Sequence, residues 1–261
     1  MTTAHDGRRA AILAIDTATT RIVIATGSPS GIADGISTWS AGYRHGETLL
    51  PSISRFLGEQ NIRRSRLTGI VVGTGPGAFT GLRVGIATAK GMAHGLGIPL
   101  VGVATGEALL AASGVPHPVL LLPAGPSDRL IVRPGEGAVP LPVGEEPELR
   151  ESETLVALDL VDRAPADALE RGEAAYRRLG HELIRLGAEQ LALDGHPSSR
   201  RSFRITSRCR AGSVRQMDRS HGRATTGKGR DRADAARGPA GRARHRGGEL
   251  HRAVATARVS Q

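Results

Sequence analysis

The chain is poor in the residues that most often announce a function. One cysteine, Cys209, serves 261 residues, which excludes an internal disulfide or a thiolate metal cluster and fits a reducing compartment. Six aromatic residues are present: Trp39, Tyr43, Phe56, Phe79, Tyr176 and Phe203. A single-strand nucleic-acid platform needs more rings than that for bases to stack on. No run approaches the ~20 apolar residues of a membrane helix. Near the start, "RRAAILAID" has the charges and short apolar core of a leader, yet the apolar run stops at Asp16 and no small-residue cleavage pattern follows. The histidines His45, His94, His117 and His181 form no H-x-x-x-H or H-E-x-x-H pair, so no metal site is legible. The expected location is the cytoplasm, away from membranes.

What is present is unevenly distributed. The hydrophobic fraction of 39% suits a globular core, and the length allows one or two domains. The net charge of +10 belongs to the end of the chain. Residues 1–199 hold 18 Lys/Arg and 21 Asp/Glu, whereas residues 200–261 hold 17 Lys/Arg and 4 Asp/Glu. After about His196 no apolar period survives, and Arg, Gly, Ala and Ser dominate, too little apolar matter to offset chain entropy. Two readings of this stretch compete: a disordered basic nucleic-acid arm, or a GC-rich gene read out of frame past a frameshift. The abrupt break favours the frameshift.

Before that break, strand and helix patterns alternate, which argues an α/β fold. Strands are expected over 11–16, 21–26 and 35–40, then in "LTGIVVG", "IPLVGVA", "PVLLLPA", "DRLIVRPG" and "TLVALDLV". Helices are expected over "GETLLPSISRFLGEQN", from about Thr80 to Leu96, over "TGEALLAAS", and through "ADALERGEAAYRRLGHELIRLGAEQLALDG". Pro51 is tolerable if it lies in the first turn of that helix, where backbone N–H groups lack helical partners. Thr80 can cap the second helix with its hydroxyl. A Pro/Gly/Glu-rich loop is expected to run to about Glu153. Strand-rich starts at residues 11 and 118 suggest two related halves.

The glycine-rich turn "GTGPGAFTGLRVG" (residues 73–85) follows a strand and opens a helix, the usual arrangement for holding a phosphate. It lacks the Lys-Ser/Thr ending of a P-loop, and Thr80 stands where G-x-G-x-x-G needs its third glycine. Glycines that let a strand-to-helix turn pack closely are the other reading. Asp16, at the end of the first strand, is placed where a carboxylate would orient a metal or water, or is an ordinary turn residue. Within the helix, Gly81, Gly85, Ala89 and Ala93 make a flat stripe of small side chains. Each interior glycine costs ~1 kcal/mol relative to Ala, so a close neighbour is implied: the protein's own sheet or a partner's helix. "GRATTGKG" (Gly222–Gly229) has near-P-loop spacing but no flanking strand or helix, and chance explains it better. No Ser-His-Asp arrangement is legible, and no catalytic residue is assigned.

"ILAIDTATT", "HGETLLPSI" and "GTGPGAFTGLRVGIATAKGMAHGLGIPLVGVATGEAL" resemble, in order and spacing, the bacterial TsaB (YeaZ) family, the dimerisation subunit of the tRNA threonylcarbamoyladenosine (t6A) machinery. The resemblance runs from about Ile12 to Ala112, is weak from 113 to about 196 and ceases beyond. It implies the ASKHA fold shared by actin, sugar kinases and related chaperones, with two βββαβα halves, here 1–108 and a degenerate 109–196, and an Arg/Gly-rich disordered tail at 197–261. It implies a non-catalytic scaffold that pairs with a TsaD-like paralogue and works with a TsaE-like ATPase. That complex transfers threonylcarbamoyl to the adenosine beside the anticodon of ANN-decoding tRNAs. The tRNA is contacted indirectly, and a homodimer is one state open to the subunit alone. ATP and a metal ion are expected on the partners, with no cofactor on this chain. The implied partner surface comprises Leu49, Leu50, Ile53, Leu57, Gly81, Leu82, Gly85, Ala89 and Ala93, and a vestigial nucleotide site comprises Asp16, Thr17, Gly75 and Gly77. TsaD-like proteins carry H-x-E-G-H where this chain has Thr105, Glu107 and Leu109, so the two imidazoles that hold a metal are replaced. The chain departs from the family at "LLPAGPSDRLIVRPG" and in its C-terminal portion. The rival reading is a nucleotide-binding ATPase or phosphotransferase of the same fold, using Asp16, Thr17 and the loop around Gly75–Gly77.

Overall fold

Strand β1 (Ala11–Asp16) is buried along its whole length, which places it at the centre of a sheet in the computed structural model. The structure describes residues 10–40, 45–125 and 127–194, all within the unit Met1–Val214. The expectations for the tail at 197–261, for Cys209 and for Gly222–Gly229 lie outside the described residues.

β1 pairs antiparallel with β2 (Arg21–Gly27), which pairs antiparallel with β3 (Ala33–Ser40). On its other side β1 runs parallel to β4 (Leu67–Gly73), and β4 to β5 (Leu100–Val103), giving the order β3-β2-β1-β4-β5. Parallel neighbours need crossover connections, and helices supply them. α1 (His45–Glu59) joins β3 to β4, α2 (Phe79–Leu96) joins β4 to β5, and α3 (Thr105–Ser113) follows β5.

Side chains alternate across a strand with period two, and the sheet uses both faces. Leu13, Ile15, Ile22, Ile24, Ile70 and Val72 meet Leu49, Ile53, Phe56 and Leu57 of α1 and Ala89 and Ala93 of α2. Ile12, Ala14, Val23, Ala25 and Val71 point the other way, into a core shared with α3 and with α4 (Ala166–Asp194). Each such Leu or Ile is worth about 1.5–3 kcal/mol on full burial.

A second sheet has the order β8-β7-β6-β9, built from β6 (Pro118–Pro123), β7 (Arg129–Arg133), β8 (Gly137–Leu141) and β9 (Thr154–Ala157). β6–β7–β8 is an antiparallel meander, and β9 runs parallel to β6. That repeats the β1–β2–β3 meander with its parallel β4, the ASKHA pattern. The repeat is shorter: no helix separates β8 from β9, and among the described residues no fifth strand pairs with β9. Leu120, Leu122, Val132 and Val156 join the shared core, so α3 and α4 fill the space between the sheets. Val119, Leu121, Ile131 and Leu155 form a separate cluster on the far face with Leu160 and Ala168.

α4 also closes the outer edge of β9. Arg171 Nε donates to the Leu155 carbonyl at 2.7 Å. One residue on, Gly172 lets the helix backbone come so near that a Cβ there would overlap the Ala157 carbonyl oxygen.

The sequence expectations need four corrections. Pro51 lies well inside α1 rather than in its opening turn. It is tolerated because Pro51 and Glu47, whose carbonyl loses its i+4 donor, are both exposed, so water can replace the missing bond. Thr80 does not cap α2: the helix begins one residue earlier, the N-cap is Ala78, and no side chain bonds there. β8 lies within the stretch read as loop; its alternation is hidden by Pro140 and by a strand with only Leu141 buried. The fourth concerns the small-residue stripe. Gly81, Gly85, Ala89 and Ala93 are buried in the protein's own interior, as are Leu49, Ile53 and Leu57. The bond from Thr17 to the Gly81 carbonyl and the β1–β4 core explain the close approach, so these seven side chains are not partner-facing. No helix of the described residues is long and apolar enough to cross a membrane.

Candidate functional site

Four segments converge at the C-terminal ends of β1, β4 and β5: the β1–β2 turn, the glycine loop, the first turns of α2 and the start of α3. Asp16, the last residue of β1, is completely buried. Its Oδ1 accepts the Ala18 N–H at 3.0 Å, and its Oδ2 accepts the Thr105 hydroxyl at 2.5 Å. Thr105 Oγ1 in turn accepts the Gly75 N–H at 3.1 Å. Burial pushes the Asp16 carboxyl above its usual range, and the bonds from Thr105 and Ala18 oppose that shift only in part.

The glycine loop is closed on the β1–β2 turn by its own backbone. Ala78 N–H donates to the Ala18 carbonyl at 2.7 Å, and Thr74 N–H donates to the Val103 carbonyl at 2.8 Å. A Cβ on Gly77 would overlap the Ala18 carbonyl, and one on Gly85 would overlap Thr17 Oγ1. Thr17 Oγ1 itself donates to the Gly81 carbonyl at 2.8 Å. The N–H groups of Thr74, Gly75 and Ala78 are thus bonded within the protein. The structure brings Asp16, Thr17, Gly75 and Gly77 together, as a network that packs loop against turn.

A second set of contacts ties the same turn to α4 and to the segment after β9. Arg21 makes a two-pronged pair with Glu173, at 2.8 and 2.7 Å, and its guanidinium lies 3.8 Å from the centre of the Tyr176 ring. Thr20 N–H donates to Asp159 Oδ2 at 3.0 Å, and Thr19 Oγ1 lies 3.3 Å from the Tyr176 hydroxyl. Burial raises the Tyr176 hydroxyl above its ordinary pKa, so it stays protonated. Thr105, Tyr176, Asp159 and Glu173 escaped the sequence reading as site residues. Their partners lie 89 to 157 positions away, beyond any local spacing rule.

The positions that carry histidines in TsaD-like proteins do not fit a metal here. Thr105 is committed to Asp16, and Leu109 is a fully buried core residue. Glu107 accepts the Gly135 N–H at 3.1 Å. Among the described residues no group of three His, Cys, Asp or Glu side chains could hold a metal ion.

The outer faces of α1 and α2 present a different surface. Leu50 is 51% and Phe79 72% exposed, Leu82 is half-buried, and Arg83 lies 5.3 Å over the Phe79 ring. Ala87, Gly91 and Gly95 are exposed at i, i+4, i+8, and a Cβ on either glycine would meet nothing within 4 Å. This second small-residue row was present in "FTGLRVGIATAKGMAHGL". Periodicity alone could not say which of the two rows faces inward.

The family model for TsaD, tRNA N6-adenosine threonylcarbamoyltransferase, matches residues 29–136. The TsaB protein of Escherichia coli (tRNA threonylcarbamoyladenosine biosynthesis protein) is 33% identical over 94 residues, 36% of this chain and 40% of that one. Part of the chain is thus similar to TsaD and TsaB (YeaZ) proteins. An uncharacterised protein of Mycobacterium leprae is 39% identical over 107 residues, 38% of this chain and 28% of that one. YeaZ from Pseudomonas aeruginosa superposes with a TM-score of 0.48 at 22% identity, covering 70% of this chain and 97% of that one. The chain spans between 28% and 47% of the length of the first curated relatives it matches. The family-model match runs from β3 through α1, β4, α2, β5 and α3 to β7.

Proposed function

We propose that this protein is a non-catalytic scaffold subunit in t6A biosynthesis, pairing with a TsaD-like threonylcarbamoyltransferase through the outer face of α1 and α2. The observation that carries the reading is the pair of glycines, Gly91 and Gly95, in the middle of an exposed helix face with open space beside them. Gly91, in the helix interior, costs ~1 kcal/mol of helix stability, and among the described residues nothing lies near either glycine to compensate. A partner backbone lying along Ala87–Gly91–Gly95, flanked by Leu50 and Phe79, would. The partner surface is thus moved outward from the buried row to Leu50, Phe79, Leu82 and the Ala87–Gly91–Gly95 row. The internal bonding of the glycine loop and the residues at the metal positions support leaving the chemistry, with its ATP and metal ion, to partner subunits. A TsaE-like ATPase and homodimerisation of the lone subunit belong to the same proposal.

The test is complex formation by the full chain with its cognate TsaD-like protein. Gly91→Trp is expected to abolish the complex while leaving the melting temperature of the subunit within a degree or two, because the added ring projects into solvent. A complex that survives Gly91→Trp removes this surface from the reading. Failure of the wild type to bind any TsaD-like partner removes the scaffold role. The rival reading, a nucleotide-binding ATPase or phosphotransferase using Asp16, Thr17, Gly75 and Gly77, predicts tight binding of ATP with Mg²⁺ by the isolated subunit in calorimetry. Engagement of the loop N–H groups by Ala18, Val103 and Thr105 speaks against it.

A further inference from the structure

Between α1 and β4 the chain reads "NIRRSRL", and the structure gives these residues a fixed shape. Two residues past the end of α1, Asn61 takes a left-handed backbone at φ 55°, and Ile62 N–H returns to the Leu57 carbonyl at 2.8 Å. Arg66 N–H closes a 3-10 turn onto the Arg63 carbonyl at 2.8 Å. Ile62 packs partly into the core on one side and Leu67 is buried on the other, so the turn is pinned at both ends. Between those anchors Arg63, Arg64 and Arg66 are all exposed, and no residue of the 3-10 segment is buried. Arg64 is further held by a 3.0 Å bond to Ser54 Oγ, which donates to the Leu50 carbonyl at 3.1 Å.

Several other arginines among the described residues are matched to carboxylates: Arg21 to Glu173, Arg133 to Glu153, Arg171 to Asp167. Arg63, Arg64 and Arg66 have no carboxylate within ion-pair distance among the described residues. Three like charges on one tight turn repel one another, and the fold uses none of them for packing. A 3-10 segment rises about 2 Å per residue, so the three guanidiniums spring from about 6 Å of backbone. Over that length one strand of a duplex presents about two to three phosphates, at about one per 3.4 Å of axis. Guanidinium forks match phosphate oxygens in pairs, and the turn exposes no apolar side chain that could enter a lipid layer.

We infer that the Arg63–Arg66 turn is a contact site for the phosphate backbone of RNA. It deepens the proposed function, on which it rests, by giving the subunit a direct hold on the tRNA that its complex acts on. The contact is electrostatic and does not read sequence.

The experiment compares the full chain with its Arg63→Gln/Arg64→Gln/Arg66→Gln variant, both bound to the TsaD-like partner, using an unmodified ANN-decoding tRNA transcript as probe. Both proteins carry the same basic tail, so its contribution cancels in the comparison. Each lost phosphate contact removes about 0.9 from the slope of log affinity against log salt. Three contacts therefore make the wild-type advantage shrink about 40-fold between about 50 and about 200 mM salt. A triple-lysine version is expected to restore the slope. Equal slopes for wild type and the glutamine variant, with the heterodimer intact, overturn the inference while leaving the proposed function standing. A wild-type advantage seen on anionic lipid vesicles or an acidic peptide, and absent on tRNA, overturns it as well. Loss of the heterodimer in the wild type is the separate failure of the underlying reading. Circular dichroism and melting temperature establish that the variants fold, as expected for three exposed side chains.

Discussion

Gly85 and Thr17 offer a sharp test of why the glycines after β4 are there. A Cβ built on Gly85 would lie 2.2 Å from Thr17 Oγ1, 3.2 Å from its Cγ2 and 3.3 Å from its Cβ. Overpacking of that kind typically costs about 1–3 kcal/mol, and replacing an interior helical Gly by Ala returns about 1 kcal/mol of propensity. Gly85→Ala should therefore destabilise the subunit by roughly 0–2 kcal/mol. Thr17→Ala loses the bond to the Gly81 carbonyl and should cost about 1 kcal/mol. In the double variant the new methyl group enters the space that Oγ1 and Cγ2 vacate, the clash is gone and the propensity gain remains. The double variant should then be close to wild type, with a favourable coupling of about 1–3 kcal/mol for two residues in contact. At roughly 2–4 °C per kcal/mol for a body of this size, the coupling is readable in thermal melts and in urea midpoints. Additive effects would refute the close-approach argument. So would a Gly85→Ala subunit about 1 kcal/mol more stable than wild type that binds its partner less well, because that pattern belongs to an outward-facing glycine.

The remaining expectations follow from other contacts. Asp16 has a folded pKa raised above its unfolded value, so its share of stability is most favourable at acid pH and declines as pH rises through the raised value. Asp16→Asn should flatten that decline in urea titrations run from pH 3 to 8, and an unchanged difference between the two proteins across that range would count against the burial argument. Glu153 works in the opposite sense: the Arg133 guanidinium holds its carboxyl down to about 2. Its stabilisation is present above about pH 4.5 and is lost as pH falls towards 2, and Glu153→Gln should remove that part of the acid sensitivity. Gly172→Ala sets a methyl group into the Ala157 carbonyl and should lower the melting temperature by roughly 2–12 °C. Gly91→Ala, into open space, should raise stability by about 1 kcal/mol. Melts of the two variants check both signs.

Much of the first sheet was legible because its segments carry their own punctuation. Ala11–Asp16 is continuously apolar and stops at a Thr-rich turn; "LTGIVVG" is an apolar run bounded by the loop that follows. The helices α1 to α4 showed in the spacing of their Leu and Ala residues. Legibility failed where a decision depends on a neighbour remote in the chain. Gly81–Gly85–Ala89–Ala93 and Ala87–Gly91–Gly95 are equally regular rows, and only the position of Thr17 and the sheet makes the first internal. β8 escaped because Pro140 and its exposed residues blur the alternation of an edge strand. Asp16 was legible as the end of the first strand, yet its partner Thr105 comes from the far side of two strands. Arg63, Arg64 and Arg66 were visible as letters, but their lack of carboxylates is a fact of the folded surface.

The way α4 lies along β9 has a consequence for how copies of this protein can meet. A bare sheet margin is an invitation to any passing extended segment, but here a guanidinium occupies one carbonyl and a helix backbone crowds the next. Ribbon-like growth is thereby blocked at that margin, and stacking of molecules there would require the helix to lift away first. Association at this end of the molecule is left to helix surfaces, and strand addition has no part in it.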